Sequence, residues 1–313
     1  MLIKIPKTEV LDDRLIVPFQ DVRSGRRNSS RRVKVEHRAS SFPVCPKKYV
    51  IYRRLPPHKR PFAEDSFVSD AATLQGTALH LAMQRWFGIQ VPHHTYGNWE
   101  CPACRKIRRH KKGVQICKSC GQEMVYREYC IEPTASVLFT GHIDLILWYR
   151  DIKFLVDFKG SSLDKMKDIQ QHGIKYEHYL QANGYANAIN LGGQDVGPLK
   201  RIDKIVIIYV DRGRPWFTWL PLQANPSKRA FRETMALIQK GHQSLLENRV
   251  PRGLCSSPND ASARWCELRD LCFSPLLETR LSDEPQPIDS SPQDRKLESL
   301  IQRRLRGDEA DAD

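Results

Sequence analysis

Two apolar runs that each carry an aspartate constrain this chain more than any other feature. The first is Gly141-His142-Ile143-Asp144-Leu145-Ile146, and the second, after a short turn, is Phe154-Leu155-Val156-Asp157-Phe158-Lys159. A carboxylate in an apolar strand is costly to bury alone, so the fold must bring it a partner. Side chains alternate faces along a strand, which points Asp157 and Lys159 the same way. If the two runs pair as a hairpin, Asp144 sits opposite them. Two carboxylates and an ammonium then converge at one strand end, equipment suited to a hard divalent cation beside a phosphate.

The length of 313 residues allows one large or two modest domains with ample core. Lys and Arg outnumber Asp and Glu by 50 to 36, a formal charge of +14 with a pI near 9.4. Such an excess fits a polyanionic partner, of which nucleic acid is the commonest. No apolar run approaches the roughly 20 residues of a membrane-spanning helix, so no membrane role is expected. The start, MLIKIPKTEVLDDR, lacks the apolar centre and small-residue cleavage site of a signal peptide. The expected setting is intracellular and cytoplasmic (the host cytoplasm for a viral chain), where thiols stay reduced. The nine cysteines are therefore read as metal ligands before disulfides.

Residues 1–40 carry Arg23-Ser24-Gly25-Arg26-Arg27 and Arg31-Arg32 with few apolar anchors, and are expected to form a disordered arm touching phosphates without sequence preference. A folded domain is expected over 41–280, with a Cys-rich basic insert at 97–122. Asp70 to Phe87 reads as a helix with Leu74, Ala78, Leu81 and Ala82 on one stripe. Strands are expected near 123–131, 136–149 and 152–158. A helical stretch over 164–190 is interrupted near Gly173. Lys204–Asp211 and Trp216–Leu220 form a further strand pair, and Ser227 caps a helix reaching Asn248. The stretch 281–313, rich in Ser, Pro, Asp and Glu, is expected to be disordered, with a short helix at 295–305.

Four elements occur in order: Gly76-Thr77-Ala78-Leu79-His80 on a helix, Gly141-His142-Ile143-Asp144, Asp157-Phe158-Lys159, and Gln181-Ala182-Asn183-Gly184-Tyr185 on a later helix. This ordered set resembles the RecB-like branch of the PD-(D/E)XK nucleases, which includes CRISPR-adaptation nucleases and phage exonucleases. The resemblance covers roughly residues 42–275. It implies an α/β, restriction-endonuclease-like core and metal-dependent hydrolysis of DNA, by exonucleolytic or end-processing cleavage more than by site-specific cutting. On chemistry alone, Asp144 and Asp157 suit Mg²⁺ or Mn²⁺, and His80 adds an imidazole that favours Mn²⁺. The backbone carbonyl of Phe158 is a further ligand that the resemblance implies. Lys159 can orient or deprotonate water, or stabilise charge on the phosphate. Gln181 and Tyr185 share a helix face and can meet the substrate backbone or brace Lys159; Tyr179, Ala182 and Ala186 make the same helix a packing stripe as well.

Cys101-x2-Cys104 and Cys117-x2-Cys120 form a zinc-ribbon pattern, in which two thiolate pairs complete a tetrahedron around Zn²⁺. A pair of redox dithiols is the alternative. Between them, Arg105-Lys106-Ile107-Arg108-Arg109-His110-Lys111-Lys112 is a basic tip, suited to phosphate contact or simply a solvated loop. Cys45, Cys255, Cys266 and Cys272 resemble the [4Fe–4S] clasp of the same nuclease branch, which ties the N-terminal to the C-terminal segment; a second zinc is the rival. The downstream three lie in a polar stretch with little apolar material to pack, which favours ligation over burial. Cys130 is read as a packed thiol.

Two other readings compete with a nuclease. One is a DNA-end binding or adaptor module on the same fold with little or no cleavage, and the other is a zinc-ribbon transcription or replication factor. The expected partner is DNA, single-stranded or end-containing duplex. No helicase motif is present, so a helicase, recombinase or integrase would act as a separate partner.

Overall fold

The computed structural model describes residues 45–55, 67–213 and 218–260, together with 263, 266, 268–281, 299–300 and 303. The expected basic arm and most of the 281–313 tail lie outside the described residues; of the expected 295–305 helix, 299, 300 and 303 are described and are helical. In chain order the elements are α1 (Pro46–Arg54), α2 (Phe67–Gln90), β1 (Thr95–Glu100), β2 (Ile107–Lys112), β3 (Val125–Arg127), β4 (Tyr129–Ile131), β5 (Gly141–Ile143), β6 (Leu145–Tyr149) and β7 (Ile152–Ser161). They continue with α3 (Leu163–His172), α4 (Tyr176–Leu191), β8 (Lys204–Asp211), β9 (Trp219–Ala224), α5 (Lys228–Leu246), and the short α6 (Arg269–Cys272) and α7 (Leu277–Arg280).

The architecture is mixed α/β. A near-continuous apolar run signals a strand buried on both faces, and β7 and β8 show it. Leu155, Ile205, Ile207 and Tyr209 enter one core with Ala182, Tyr185 and Ile238. Val156, Phe158, Ile208 and Val210 enter a second core on the opposite face, with Leu79, Met83, Trp99 and Tyr126. β7 and β8 pair in parallel, joined through α3 and α4. The other ladders are antiparallel, in the sheet order β2-β1-β6-β7-β8-β9 with β3 beside β1. β4 and β5 form a separate two-stranded sheet. Among the described residues no helix is long and apolar enough to cross a membrane.

Several local expectations hold. Gly173 ends α3 with φ 88° and separates it from α4. Ser227 caps α5, its Oγ accepting the Ala230 N–H at 3.2 Å. Others are corrected. The stripe expected to bury α2 faces outward, with Leu74 and Leu81 exposed, while Leu79 and Met83 pack on the sheet. A helix with apolar residues on several faces has no unique inner stripe, and the sheet's Phe158 and Val156 select the side that docks. The strand expected over 123–131 breaks at Glu128, and the one over 136–149 begins only at Gly141 and breaks at Asp144. Both breaks fall on carboxylates.

Candidate active site

The hairpin expected from the two aspartate-bearing runs forms. β6 and β7 pair antiparallel with Leu145 opposite Val156, so Asp144 and Asp157 face each other one position beyond that pair. Asp144 is buried, and its two oxygens have separate partners. Oδ1 lies 3.2 Å from His80 Nδ1, which α2 brings across the sheet end, and Oδ2 accepts the Phe158 N–H at 2.8 Å. Asp157 is also buried, and Lys159 Nζ lies 2.8 Å from its Oδ2 in an ion pair. The Phe158 side chain is wholly within the second core. His80, Asp144, Asp157 and Lys159 thus converge at one strand end.

Electrostatics follow from that crowding. Burial disfavours the imidazolium of His80, but the neighbouring Asp144 carboxylate outweighs it and raises the pKa above its ordinary value. Burial raises the pKa of Asp157; Lys159 opposes the rise and Asp144 adds to it. A buried carboxylate held in that state is relieved by a cation.

Gln181 and Tyr185 face inward on α4. Gln181 Nε2 donates to the Tyr185 hydroxyl at 3.2 Å, and the Tyr185 ring packs against Phe139 at 6.2 Å between centroids. The same ring abuts Gly141, where a Cβ would stand only 2.2 Å from Tyr185 Cε1. This close approach explains the glycine three residues before Asp144. It ties Tyr185 to the placement of β5 and, through it, of Asp144.

A further carboxylate joins the site. β4 and β5 pair with Tyr129 opposite Ile143, so Glu128 faces Asp144 one position further on. The β4–β5 register thus carries Glu128 toward the Asp144 end of the hairpin. Glu128 Oε1 accepts from Gln84 Nε2 at 2.7 Å, and Oε2 lies 3.2 Å from His142 Nδ1. Burial works upward on the Glu128 pKa, but the bonds from His142 and Gln84 prevail and lower it. Cys130, 3.5 Å from His142 Nδ1, and Glu128 together hold the His142 pKa up to about 10. Cys130 is thus a half-buried partner of His142 as well as a strand residue. The pattern of Gln84 one helical turn beyond His80 was the available sequence signal for this wall.

The four thiols of the ribbon pattern gather as expected. Cys101 and Cys120 sulfurs lie 3.4 Å apart, as do those of Cys104 and Cys117, and Cys104 and Cys120 are 3.9 Å apart. Tetrahedral ligation at about 2.3 Å separates sulfurs by about 3.8 Å. Among the described residues this is the group of three or more ligand atoms that all fall within 4.8 Å, and it could hold a metal ion. The two knuckles match: Arg105 N–H bonds to Cys101 O and Gly121 N–H to Cys117 O, each at 2.9 Å. Backbone N–H groups, first of all that of Cys104 on Cys101 and that of Ser119 on Cys117, pull both pKa values down, the latter to about 6. The module grows from the main sheet, since β1, which ends at Cys101, also pairs with β6 through Thr95 and Tyr96.

Cys45, Cys255, Cys266 and Cys272 are brought into one region. Burial raises the Cys255 pKa, and the Cys45, Cys266 and Cys272 sulfurs add to the rise. Lys47 Nζ donates to Cys272 O at 2.8 Å, joining α1 to α6. The expectation of little apolar packing here is corrected. Leu268, Leu277 and Leu281 form a small core with Ile51 and Leu55, against which Cys266 and Cys272 pack. Sparse leucines in a polar stretch suffice because α1 offers them a matching face.

No family model matches the chain, and no curated protein matches it. A solved structure entitled "Crystal structure of SSO0001" is similar over 83% of this chain and 96% of that chain, at 13% identity and a TM-score of 0.39.

Proposed function

We propose that this chain is a divalent-metal-dependent deoxyribonuclease, with a restriction-endonuclease-like core of the RecB-like PD-(D/E)XK branch, acting as an exonuclease or end-processing enzyme. One observation carries the reading: His80, Asp144, Asp157 and Lys159 converge at the β6–β7 strand end from two faces of the sheet. Asp157 and Asp144, buried and opposite each other at that strand end, offer the paired carboxylates that suit a divalent cation. Asp144, Asp157 and His80 would hold Mg²⁺ or Mn²⁺, with the Phe158 carbonyl as a further ligand; the ion supplies charge neutralisation at a phosphate and a more acidic water. Lys159, steered by Asp157, presents its ammonium where negative charge develops on the phosphate. Asp144 is kept at the strand end by the Phe158 N–H, and His80 braces its other oxygen.

Zn²⁺ at Cys101, Cys104, Cys117 and Cys120 is the accompanying reading for the ribbon, supported by the sulfur spacing. For Cys45, Cys255, Cys266 and Cys272 a [4Fe–4S] cluster fits better than a second zinc. These sulfurs influence one another yet are not gathered to single-ion spacing, and a cubane spreads its thiolates wider than one ion does.

Hydrolysis of end-labelled single- and double-stranded DNA by anaerobically purified protein, with Mg²⁺ or Mn²⁺, tests the proposal. Degradation that disappears in Asp157→Ala supports it. A second reading, a DNA-end binding or adaptor module, is favoured by one observation: the His80, Asp144 and Asp157 donors are not drawn together as tightly as the ribbon thiols. DNA binding without hydrolysis by fully metallated protein would establish that reading instead.

A further inference from the structure

We propose that a phosphate-binding cleft joins the ribbon to the candidate active site, and that Arg105, Arg109 and Arg127 grip a single strand of DNA in it. The inference rests on the nuclease reading above and extends it to how the substrate arrives. Two adjoining clefts, of about 400 and 500 Å³, share Arg127, Glu128 and Cys130 in their walls. The first reaches Arg109 on β2; the second reaches Gln84 and His142. Gln84 lies one helical turn beyond His80, and His142 lies two residues before Asp144. The passage therefore runs from the ribbon to the wall of the centre. Clefts of this size receive a ligand of nucleotide dimensions rather than the breadth of a duplex.

The guanidiniums are fixed in place. Glu100, buried at the end of β1, forms an ion pair with Arg105, whose Nε lies 2.7 Å from one oxygen, and another with Arg127 through its second oxygen. Among the described residues no hydrogen bond engages the Nη ends of either arginine, so both are oriented with their outer donors available. A guanidinium held in this way presents a planar fork that matches phosphate oxygens. Arg109 is exposed on β2 and makes no ion pair among the described residues. At the inner end Glu128 is turned to His142 and Gln84, while Glu132 and Asp195 are exposed carboxylates on the far wall of the first cleft, which confines a phosphate to the arginine side.

Backbone conformation adds an independent argument. The two knuckles place Arg105 and Gly121 at equivalent positions, both left-handed, with φ of 59° and 71°. Glycine adopts that conformation freely, whereas a side chain there is strained. The first knuckle accepts the strain and keeps an arginine over Glu100.

The test uses the full chain and a labelled single-stranded DNA oligonucleotide, with binding followed against salt concentration. Arg109→Ala leaves Glu100 untouched and should flatten the log–log salt slope by about 0.7 for each phosphate of a single strand that the protein no longer holds. The double variant Arg105→Lys with Arg127→Lys keeps both charges beside Glu100 but removes the forks. It should bind several-fold more weakly at an unchanged melting temperature, and the parent's affinity should not return when the charges alone are kept. Wild-type affinity and salt slope in both variants, with DNA cleavage still abolished by Asp157→Ala, would overturn the cleft and leave the nuclease reading standing. Arginine-dependent binding with no cleavage by any form would do the reverse. Duplex bound more tightly than single strand through the same arginines would also overturn the proposal.

Discussion

The Asp144 carboxylate accepts the Phe158 N–H across the β6–β7 hairpin at 2.8 Å while its other oxygen meets His80. One side chain is thus both a candidate ligand and a staple between strands. The two roles separate by substitution. Asp144→Asn retains an oxygen for the Phe158 N–H and should fold nearly as well as the parent, without hydrolysing DNA. Asp144→Ala strands that buried N–H, which costs about 1–3 kcal/mol. Urea unfolding of the two variants should differ by roughly that amount, and equal stabilities would show that the bond does not brace the hairpin.

Gly141 and Tyr185 make a second pair that can be tested. A Cβ at Gly141 would overlap the Tyr185 ring, so Gly141→Ala should destabilise by about 1–3 kcal/mol, the usual range for overpacking. Adding Tyr185→Leu should recover part of the loss, since touching residues couple. Additive effects in the double variant would contradict the close approach.

Acid sensitivity should come from buried histidines. Burial, then Arg53, drives the His242 pKa down to about 3, and the Tyr49 hydroxyl lies 3.3 Å from its Nε2. The unfolded chain takes up this proton near pH 6.5 and the folded chain does not. The stability that neutral His242 permits is therefore intact above pH 6.5 and is lost as pH falls toward 3. Between pH 7.5 and pH 5 the parent should lose about 2 kcal/mol more than His242→Gln. Unfolding midpoints of both proteins at the two pH values check this. His178, lowered to about 3 by burial and by Lys159 and Lys175, should add a similar dependence.

Metal removal should reach beyond the ribbon. β1 carries Cys101 at its end and also pairs with β6. Stripping the ion from Cys101, Cys104, Cys117 and Cys120 should therefore lower the melting temperature of the whole domain, as should Cys117→Ser. Elemental analysis should find one zinc per chain, absent from that variant. An unchanged melting transition after metal removal would mean that the ribbon is held by the sheet alone.

What could be read in the sequence was set by local pattern. The aspartate-bearing hairpin, the paired knuckles, the Ser227 cap and the Gly173 break all depend on residues a few positions apart. What escaped depends on pairing between distant segments. Glu128 comes toward Asp144 only through the β4–β5 register, and nothing within the Val125–Ile131 run specifies that partner. The docking side of α2 escaped for a related reason, since apolar residues occur around the helix and the sheet chooses among them. Leu268, Leu277 and Leu281 are too widely spaced to announce the small core they form on α1. β1 belongs to both the ribbon and the main sheet, a membership that composition hides because its cysteine marks it as part of the metal module.

Lys159 offers the most direct test of the central claim. It is paired with Asp157, packed in the site and required by the proposed chemistry, but DNA could bind without it. Binding and cleavage of end-labelled DNA should be measured side by side for the parent and Lys159→Ala, with Mn²⁺ present. The account predicts DNA affinity close to the parent's and cleavage reduced about 100-fold or more, the scale of losing a group that stabilises charge in the transition state. Cleavage at the parent's rate by a folded Lys159→Ala protein would contradict it.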